Sequence, residues 1–312
     1  MTPPINQRMG LAEWAVLIFL SILWGGSFLF IKLSLHSFPP LTLVLLRAIL
    51  SSLMIYAFIR FTGRRLPTSP SVWIGFTILG LLNIALPLAL FAWSQQHIGA
   101  GLASILNATT PLFSVVAAHF MTHDEKASAA KIAGVFFGMA GVIVMIGGDA
   151  LGGMGDDLAP QIACLIAAAS YAFASIYARR FQPWGIEPVH VAAGQMITTA
   201  LMLFPIAMIV DQPWTLPAPL PEAVIAMVAL ALFSTALAYI LYFRLLETAG
   251  ATNALLVTFL VPITAILLGI AILGEALELK HWAGVALIAL GLAAIDGRMF
   301  SLFRAKPAAR PG

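Results

Sequence analysis

Polar side chains are costly inside apolar helices, so the few that sit there mark where this chain could do chemistry. Arg47 is the one basic residue well inside an apolar stretch. A guanidinium there can receive a ligand carboxylate, snorkel to the nearby interface or bond helix carbonyls. Asn83 lies mid-stretch with Pro87 beyond it. Its amide can read a carboxylate or an ammonium, or clamp two helices. Ser104, Asn107, Thr110, Pro111 and Ser114 recur at three-to-four spacing and make one small, polar helix face. Thr258 and Pro262 occupy the corresponding face of a later stretch. Pro111 and Pro262 remove backbone donors, so both are expected to kink their helices. Aromatic residues form a second set: Trp24 and Phe28, Phe91 and Trp93, Tyr171 with Ser175 one turn on, and Tyr239 and Tyr242. Rings stack on flat ligands, and Tyr hydroxyls orient polar ends. Trp and Tyr also anchor at membrane interfaces, which would serve Trp93 equally well. These groups suit binding rather than bond-making.

The residues that are missing narrow the chemistry further. His97, His119, His123, His190 and His281 are scattered, and no HExxH or Asp-rich motif accompanies them. The single cysteine, Cys164, rules out an internal disulfide and a cysteine metal cluster. No catalytic residue, metal or cofactor is therefore expected, and a membrane-embedded enzyme is a distant alternative. Glu13, Glu125, Glu275 and Asp296 all fall near the ends of apolar stretches. Proton relays commonly need carboxylates or histidines at mid-membrane. The expected substrate is therefore small and neutral or zwitterionic, with weak or absent proton coupling. A channel would need a filter, and no filter-like glycine loop is present.

Long apolar elements must position these groups. The chain has 312 residues, of which 61% are hydrophobic and only 9% charged. Soluble proteins carry about 25% charged residues. Mean hydropathy is +0.99. The class is an all-α polytopic membrane protein whose main environment is the lipid bilayer. The net charge of +3 is too small to argue for nucleic acid. A spanning helix needs roughly 20 apolar residues. Ten such stretches lie near 11–35, 40–60, 72–93, 99–121, 128–147, 159–181, 188–209, 220–244, 251–273 and 280–299. The first is too long for a signal peptide and lacks a cleavage site. With the N-terminus inside, thirteen of the 16 Lys and Arg residues fall on the cytoplasmic side. Lys32 and Lys280 fall outside, as do Asp149, Asp156, Asp157 and Asp211. Both termini are thus predicted to be cytoplasmic.

The chain also repeats itself. Gly99–Pro111 and Gly250–Pro262 share their Gly-to-Pro spacing, and an acid follows each, Glu125 and Glu275. From those acids, Gly134 matches Gly284 and Gly141 matches Gly291. Trp24 aligns with Tyr171, Pro40 with Pro188, Arg47 with Gln195, and Asn83 with Ser234. Five helices per half force the second half to enter the membrane inverted, which is a recurrent transporter architecture. The repeats are expected at 11–147 and 159–299, with a cytoplasmic tail at 300–312. Glu125 and Glu275 are expected to cap the helices that follow them, with a gate salt bridge as the alternative. Gly134, Gly138 and Gly141 form a small-residue face. Packing inside the repeat is expected of that face, and a monomer is favoured. A dimer through the face is the alternative.

Trp24-Gly25-Gly26-Ser27-Phe28 resembles the entry motif of the drug/metabolite transporter superfamily. The paired Gly-Ala…Pro…Glu segments are similar to the EamA domain, used twice, and the resemblance covers about 11–299. It implies a ten-helix inverted-repeat transporter of the inner membrane, working by alternating access. It also implies export of small metabolites, amino acids being the best-represented class, and the aromatic residues of this chain would suit hydrophobic or aromatic ones. Nucleosides and sugar phosphates are alternative cargo, although a phosphate carrier should show several basic residues in its cavity. Small multidrug exporters of the superfamily depend on a glutamate in the first membrane helix, and this first helix has none at mid-membrane.

Overall fold

The computed structural model describes residues 10–121, 128–146, 158–249 and 256–296. Ten helices run through them. They are α1 (Leu11–Ser34), α2 (Pro40–Phe61), α3 (Pro70–Ser94), α4 (Ala100–Met121), α5 (Ala129–Ile146), α6 (Leu158–Ala178), α7 (Pro188–Val210), α8 (residues 221–249), α9 (Val257–Leu273) and α10 (Leu279–Asp296). Seven are long and apolar enough to cross a membrane, and α5, α9 and α10 supply shorter apolar helices. Pro40, Pro70, Pro188 and Pro221 each open a helix. Proline fits there because the first helical N–H has no partner to lose. Leu201, Ile225 and Leu267 point outward, more than 60% exposed, as lipid-facing residues should.

The helices of the two halves interlock. Helix α1 packs on α9 and α8, and its repeat mate α6 packs on α4 and α3. Helix α2 lies along α7, α4 meets α9, and α5 meets α10. Every one of these pairings has its mirror under the exchange of α1–α5 for α6–α10. The chain is thus an all-α polytopic membrane protein of two inverted five-helix repeats.

The glycine face of α5 has the expected use and a second one. A Cβ on Gly141 would lie 2.7 Å from the Gly284 carbonyl oxygen, and one on Gly291 would lie 2.7 Å from the Gly138 nitrogen. Bare backbones therefore cross at this point. A Cβ on Gly138 would overlap the Leu112 side chain of α4, so the face packs inside its own repeat as well as against α10 of the other. Small residues allow this approach, which brings van der Waals attraction where no hydrophobic effect drives helices together.

Three helices are irregular in the middle. Helix α4 breaks between Asn107 and Thr110. Helices α3 and α8 each contain a π-helical turn, Leu81–Ala85 and Leu232–Leu237. In α3, Leu86 N–H bonds Leu81 O, which sets Pro87 where its missing N–H is absorbed. Irregular turns leave carbonyls without helical partners, and a bilayer offers none. Hydroxyls from neighbouring helices, and in one case from the same helix, take that place. Thr199 donates to Gly80 O at 3.2 Å and Ser170 to Leu82 O at 2.6 Å. In the second repeat, Ser51 donates to Ala231 O at 3.2 Å and Thr235 to Leu230 O at 3.0 Å.

Candidate functional site

The three irregular turns surround a cavity of about 360 Å3 between the repeats. Small-molecule pockets run from about 300 to 1,000 Å3, so this one suits a small metabolite. The structure brings to it Trp24 and Phe28 from α1, Arg47 from α2, Asn83 and Phe91 from α3, and Asn107, Thr110 and Pro111 from α4. From the other repeat come Tyr171, Tyr239, Tyr242, Thr258 and Pro262. Apolar residues that sequence reasoning did not select, Ile31, Leu88, Met196 and Val261 among them, complete the lining.

Two expected residues lie elsewhere. Trp93 is 39% exposed, with its ring 5.1 Å from that of His97. Phe91 already faces inward, and residues two apart on a helix point to opposite sides. Ser175 is exposed, and its hydroxyl is spent on Ala172 O at 2.7 Å within its own helix.

The aromatic residues form a continuous wall. Trp24 and Tyr242 have ring centroids 5.3 Å apart, Phe28 and Phe91 5.7 Å, and Phe91 and Tyr171 6.2 Å. These are favourable aromatic separations. Trp24 belongs to the first repeat and Tyr242 to the second, so the wall spans the interface.

Arg47 does not snorkel. It is buried, its Nε donates to Thr235 Oγ1 at 2.9 Å, and one Nη donates to Ser27 Oγ at 3.3 Å. Thr235 has already given its own proton to Leu230 O, which leaves its oxygen as the acceptor. The π turn of α8 thus fixes which way the guanidinium is held. Ser27 and Thr235 were missed as partners of Arg47. The signal for them was a mid-helix hydroxyl opposite an intramembrane charge. Across the cavity, Asn83 Nδ2 donates to Gln195 Oε1 at 2.9 Å, and the Tyr239 hydroxyl hydrogen-bonds with both side chains. The Asn83 amide therefore does clamp two helices. Asn107 Oδ1 and Ser234 Oγ are buried without any hydrogen-bond partner.

The break in α4 exposes a helix end to the cavity. Pro111 cannot supply the N–H that Asn107 O would receive in an unbroken helix, and the Thr110 hydroxyl bonds that carbonyl at 2.7 Å instead. Ser104 and Ser114 bond backbone of their own helix, Gly101 O and Thr110 O. Arg47 is the only charged residue among the described residues that line the cavity, and none of them is Asp or Glu. Among the described residues there is also no group of three His, Cys, Asp or Glu placed to hold a metal.

Polar contacts also tie elements together at the ends of the bundle. Glu275 accepts the Ala100 N–H at 2.6 Å and the Gly101 N–H at 2.9 Å. It therefore caps α4 of the opposite repeat rather than the helix that follows it. Lys32 donates to Gln95 O and Ile98 O, which ties α1 to the turn before α4. Asp211 accepts from Thr42 N–H and Oγ1 at 2.6 and 2.8 Å, and Ser94 donates to Pro160 O at 2.8 Å. At the opposite end the polar link is Arg64–Glu187 at 2.8 Å, between half-exposed side chains. Glu125 and the 300–312 tail lie outside the described residues.

Known proteins share both sequence and fold with this chain. The EamA-like transporter family matches residues 12–147 and again 159–295. A relative named "Uncharacterized inner membrane transporter YedA", from Escherichia coli strain K12, is 27% identical over 307 residues, 97% of this chain and 96% of the relative. The "Uncharacterized transporter YoaV" of Bacillus subtilis strain 168 is 24% identical, covering 88% of this chain and 94% of its own. A "Probable amino-acid metabolite efflux pump" of Escherichia coli strain K12 is 26% identical over 87% of this chain and 90% of its own. A solved crystal structure superposes with a TM-score of 0.64 at 20% identity, over 91% of this chain and 97% of that one, which speaks to the fold.

Proposed function

The chain belongs to the EamA-like transporter family, and from that premise we propose that it exports small neutral or zwitterionic metabolites across the inner membrane. Hydrophobic and aromatic amino acids are its substrates. The observation that carries this reading is a cavity between the repeats whose lining joins an aromatic wall to Arg47, Asn83 and Asn107. An amino acid needs both surfaces: rings for its side chain and fixed polar groups for its backbone end. The efflux-pump name of one relative supports the same substrate class and direction.

Transport proceeds by alternating access around this cavity. Helices α1, α3 and α4 repack against α6, α8 and α9, so that the ties at the Glu275 end break as the other end closes. No carboxylate relay takes part, in keeping with a described cavity lining that holds no Asp or Glu. Both termini face the cytoplasm, in keeping with the distribution of Lys and Arg. The chain acts as a monomer, since the α5 glycine face is occupied from within.

Counterflow in proteoliposomes tests this reading. Vesicles are loaded with unlabelled amino acids, and trace labelled phenylalanine, leucine or threonine is added outside. Transient accumulation is the expected result, reduced by Asn107→Ala in protein that remains monodisperse. Accumulation of nucleosides or sugar phosphates, with none for any amino acid, would replace the substrate class.

A further inference from the structure

A buried guanidinium with no carboxylate near it is an unusual thing to keep at the wall of a cavity. Arginine stays protonated in proteins, so the charge cannot be shed. It has five N–H donors. Among the described residues, Thr235 and Ser27 are the two hydrogen-bond partners it has. Both acceptors are neutral hydroxyls, which leave the positive charge uncompensated. No Asp or Glu stands among the described lining residues to answer it. A charge whose partners are all neutral attracts an opposite charge more strongly in a low-dielectric wall than in bulk water. A ligand that brings a negative charge gains that attraction on binding.

The rest of the cavity treats an ammonium group quite differently. The unpartnered acceptors among its described lining residues are the Asn107 amide oxygen and the Ser234 hydroxyl, both neutral. Hydrogen bonding to a neutral acceptor stabilises an ammonium less than an ion pair does. The Arg47 charge repels any ligand that is a net cation, and more strongly than it would in water. The flat part of a ligand meets Trp24, Phe28, Phe91 and Tyr242.

Resting on the reading of this cavity as the substrate site, we propose that Arg47 is its specificity-determining residue and that the site selects aromatic monocarboxylates. The carboxylate binds Arg47, the ring binds the aromatic wall, and the amino group of an amino acid is dispensable. Aromatic acids without an amino group are therefore ligands at least as good as the corresponding amino acids. Ser27 and Thr235 act as positioning residues that hold the guanidinium fork toward the cavity.

Four compounds separate these terms: L-phenylalanine, 3-phenylpropanoate, L-phenylalaninamide and 2-phenylethylamine. Each is titrated calorimetrically into the purified full-length protein. The two carboxylates are expected to bind within about tenfold of each other, with 3-phenylpropanoate equal or tighter. The amide and the amine are expected to bind about 30-fold or more weakly, the loss typical of an unpaired buried charge. Arg47→Gln is expected to weaken both carboxylates by about 30-fold while tightening the amide and the amine, from which it lifts a repulsion. A merely structural arginine would weaken all four alike. Should Arg47→Gln fail to fold, the series on the unaltered protein still decides. Arg47→Lys then adds a second variant that keeps the charge and loses the fork. Amide and amine binding as tight as that of phenylalanine would overturn the proposal and leave amino-acid transport standing. If none of the four binds while nucleosides exchange in counterflow, the substrate class falls, and this proposal with it.

Discussion

The two repeats build the same scaffold and furnish it with different chemistry. Ser51 of α2 reaches the Ala231 carbonyl before the π turn of α8, and Thr199 of α7 reaches the Gly80 carbonyl before the π turn of α3, both at 3.2 Å. One turn earlier the likeness ends. Arg47 of α2 faces Thr235, whereas its mate Gln195 of α7 faces Asn83. Trp24 of α1 stands where α6 has Tyr171. Backbone satisfaction is compulsory in a bilayer, so the scaffold bonds must recur in both repeats. Ligand recognition carries no such constraint. A symmetric pore of two arginines would repel itself, and one of two glutamines would lack the charge. In the reading proposed above, specificity resides in the asymmetry at positions 47 and 195.

The comparison breaks first at its symmetric part. Gly141→Val and Gly291→Val each force a side chain into opposing backbone, and each is expected to cost about 3 kcal/mol, the upper range for overpacking. Thermal unfolding followed by size-exclusion recovery measures both. A large effect at one position and none at the other would show that the α5–α10 crossing is not two-fold. Next comes the asymmetric part. Arg47→Gln is expected to lower kcat/KM for phenylalanine counterflow by about 30-fold. Gln195→Ala, which releases Asn83 and Tyr239 but no charge, is expected to lower it by about fivefold. Equal losses would place the two positions on the same footing.

Smaller effects sharpen the picture. Glu275→Ala removes the acceptor of two N–H groups and is expected to destabilise by about 1–2 kcal/mol, in the range of a lost helix cap. An unchanged melting temperature would remove Glu275 from the contacts that hold this end. Ser51→Ala and Thr199→Val are expected to cost about 0.6 kcal/mol each, typical of hydrogen bonds between membrane helices. Trp93→Ala is expected to leave phenylalanine transport unaltered. A loss above a few-fold would return Trp93 to the pathway.

Much of the architecture was legible because it rests on hydropathy. Twenty-residue apolar runs, the alternating Lys and Arg bias and the Gly–Pro spacing are properties of local sequence. The observed helices begin and end within a few residues of the expected stretches. The lining aromatics and Asn107 were legible because polar and flat groups in apolar helices have few places to go. Partners were harder to see. Glu275 caps α4 across the repeat boundary, and nothing in its neighbourhood in sequence points to Ala100. The glycine face of α5 was visible, but its occupant depended on how α10 returns. Trp93 and Ser175 failed for a simpler reason. Type alone does not fix which side of a helix a residue faces, and each is turned away from the cavity. The π turns were hidden too. In retrospect, mid-helix hydroxyls at Ser51, Ser170 and Thr199 signalled carbonyls in need of a donor.

The central claim is that phenylalanine and its relatives occupy the aromatic-walled cavity between the repeats. Protection of a reporter at Asn107 tests it most directly. The native Cys164 is first replaced by alanine, and Asn107→Cys is introduced in that background. A small methanethiosulfonate reagent then modifies the new thiol in proteoliposomes that still exchange phenylalanine. Saturating phenylalanine is expected to slow modification severalfold. An unchanged rate, with counterflow intact, would contradict the claim and put the pathway elsewhere in the bundle.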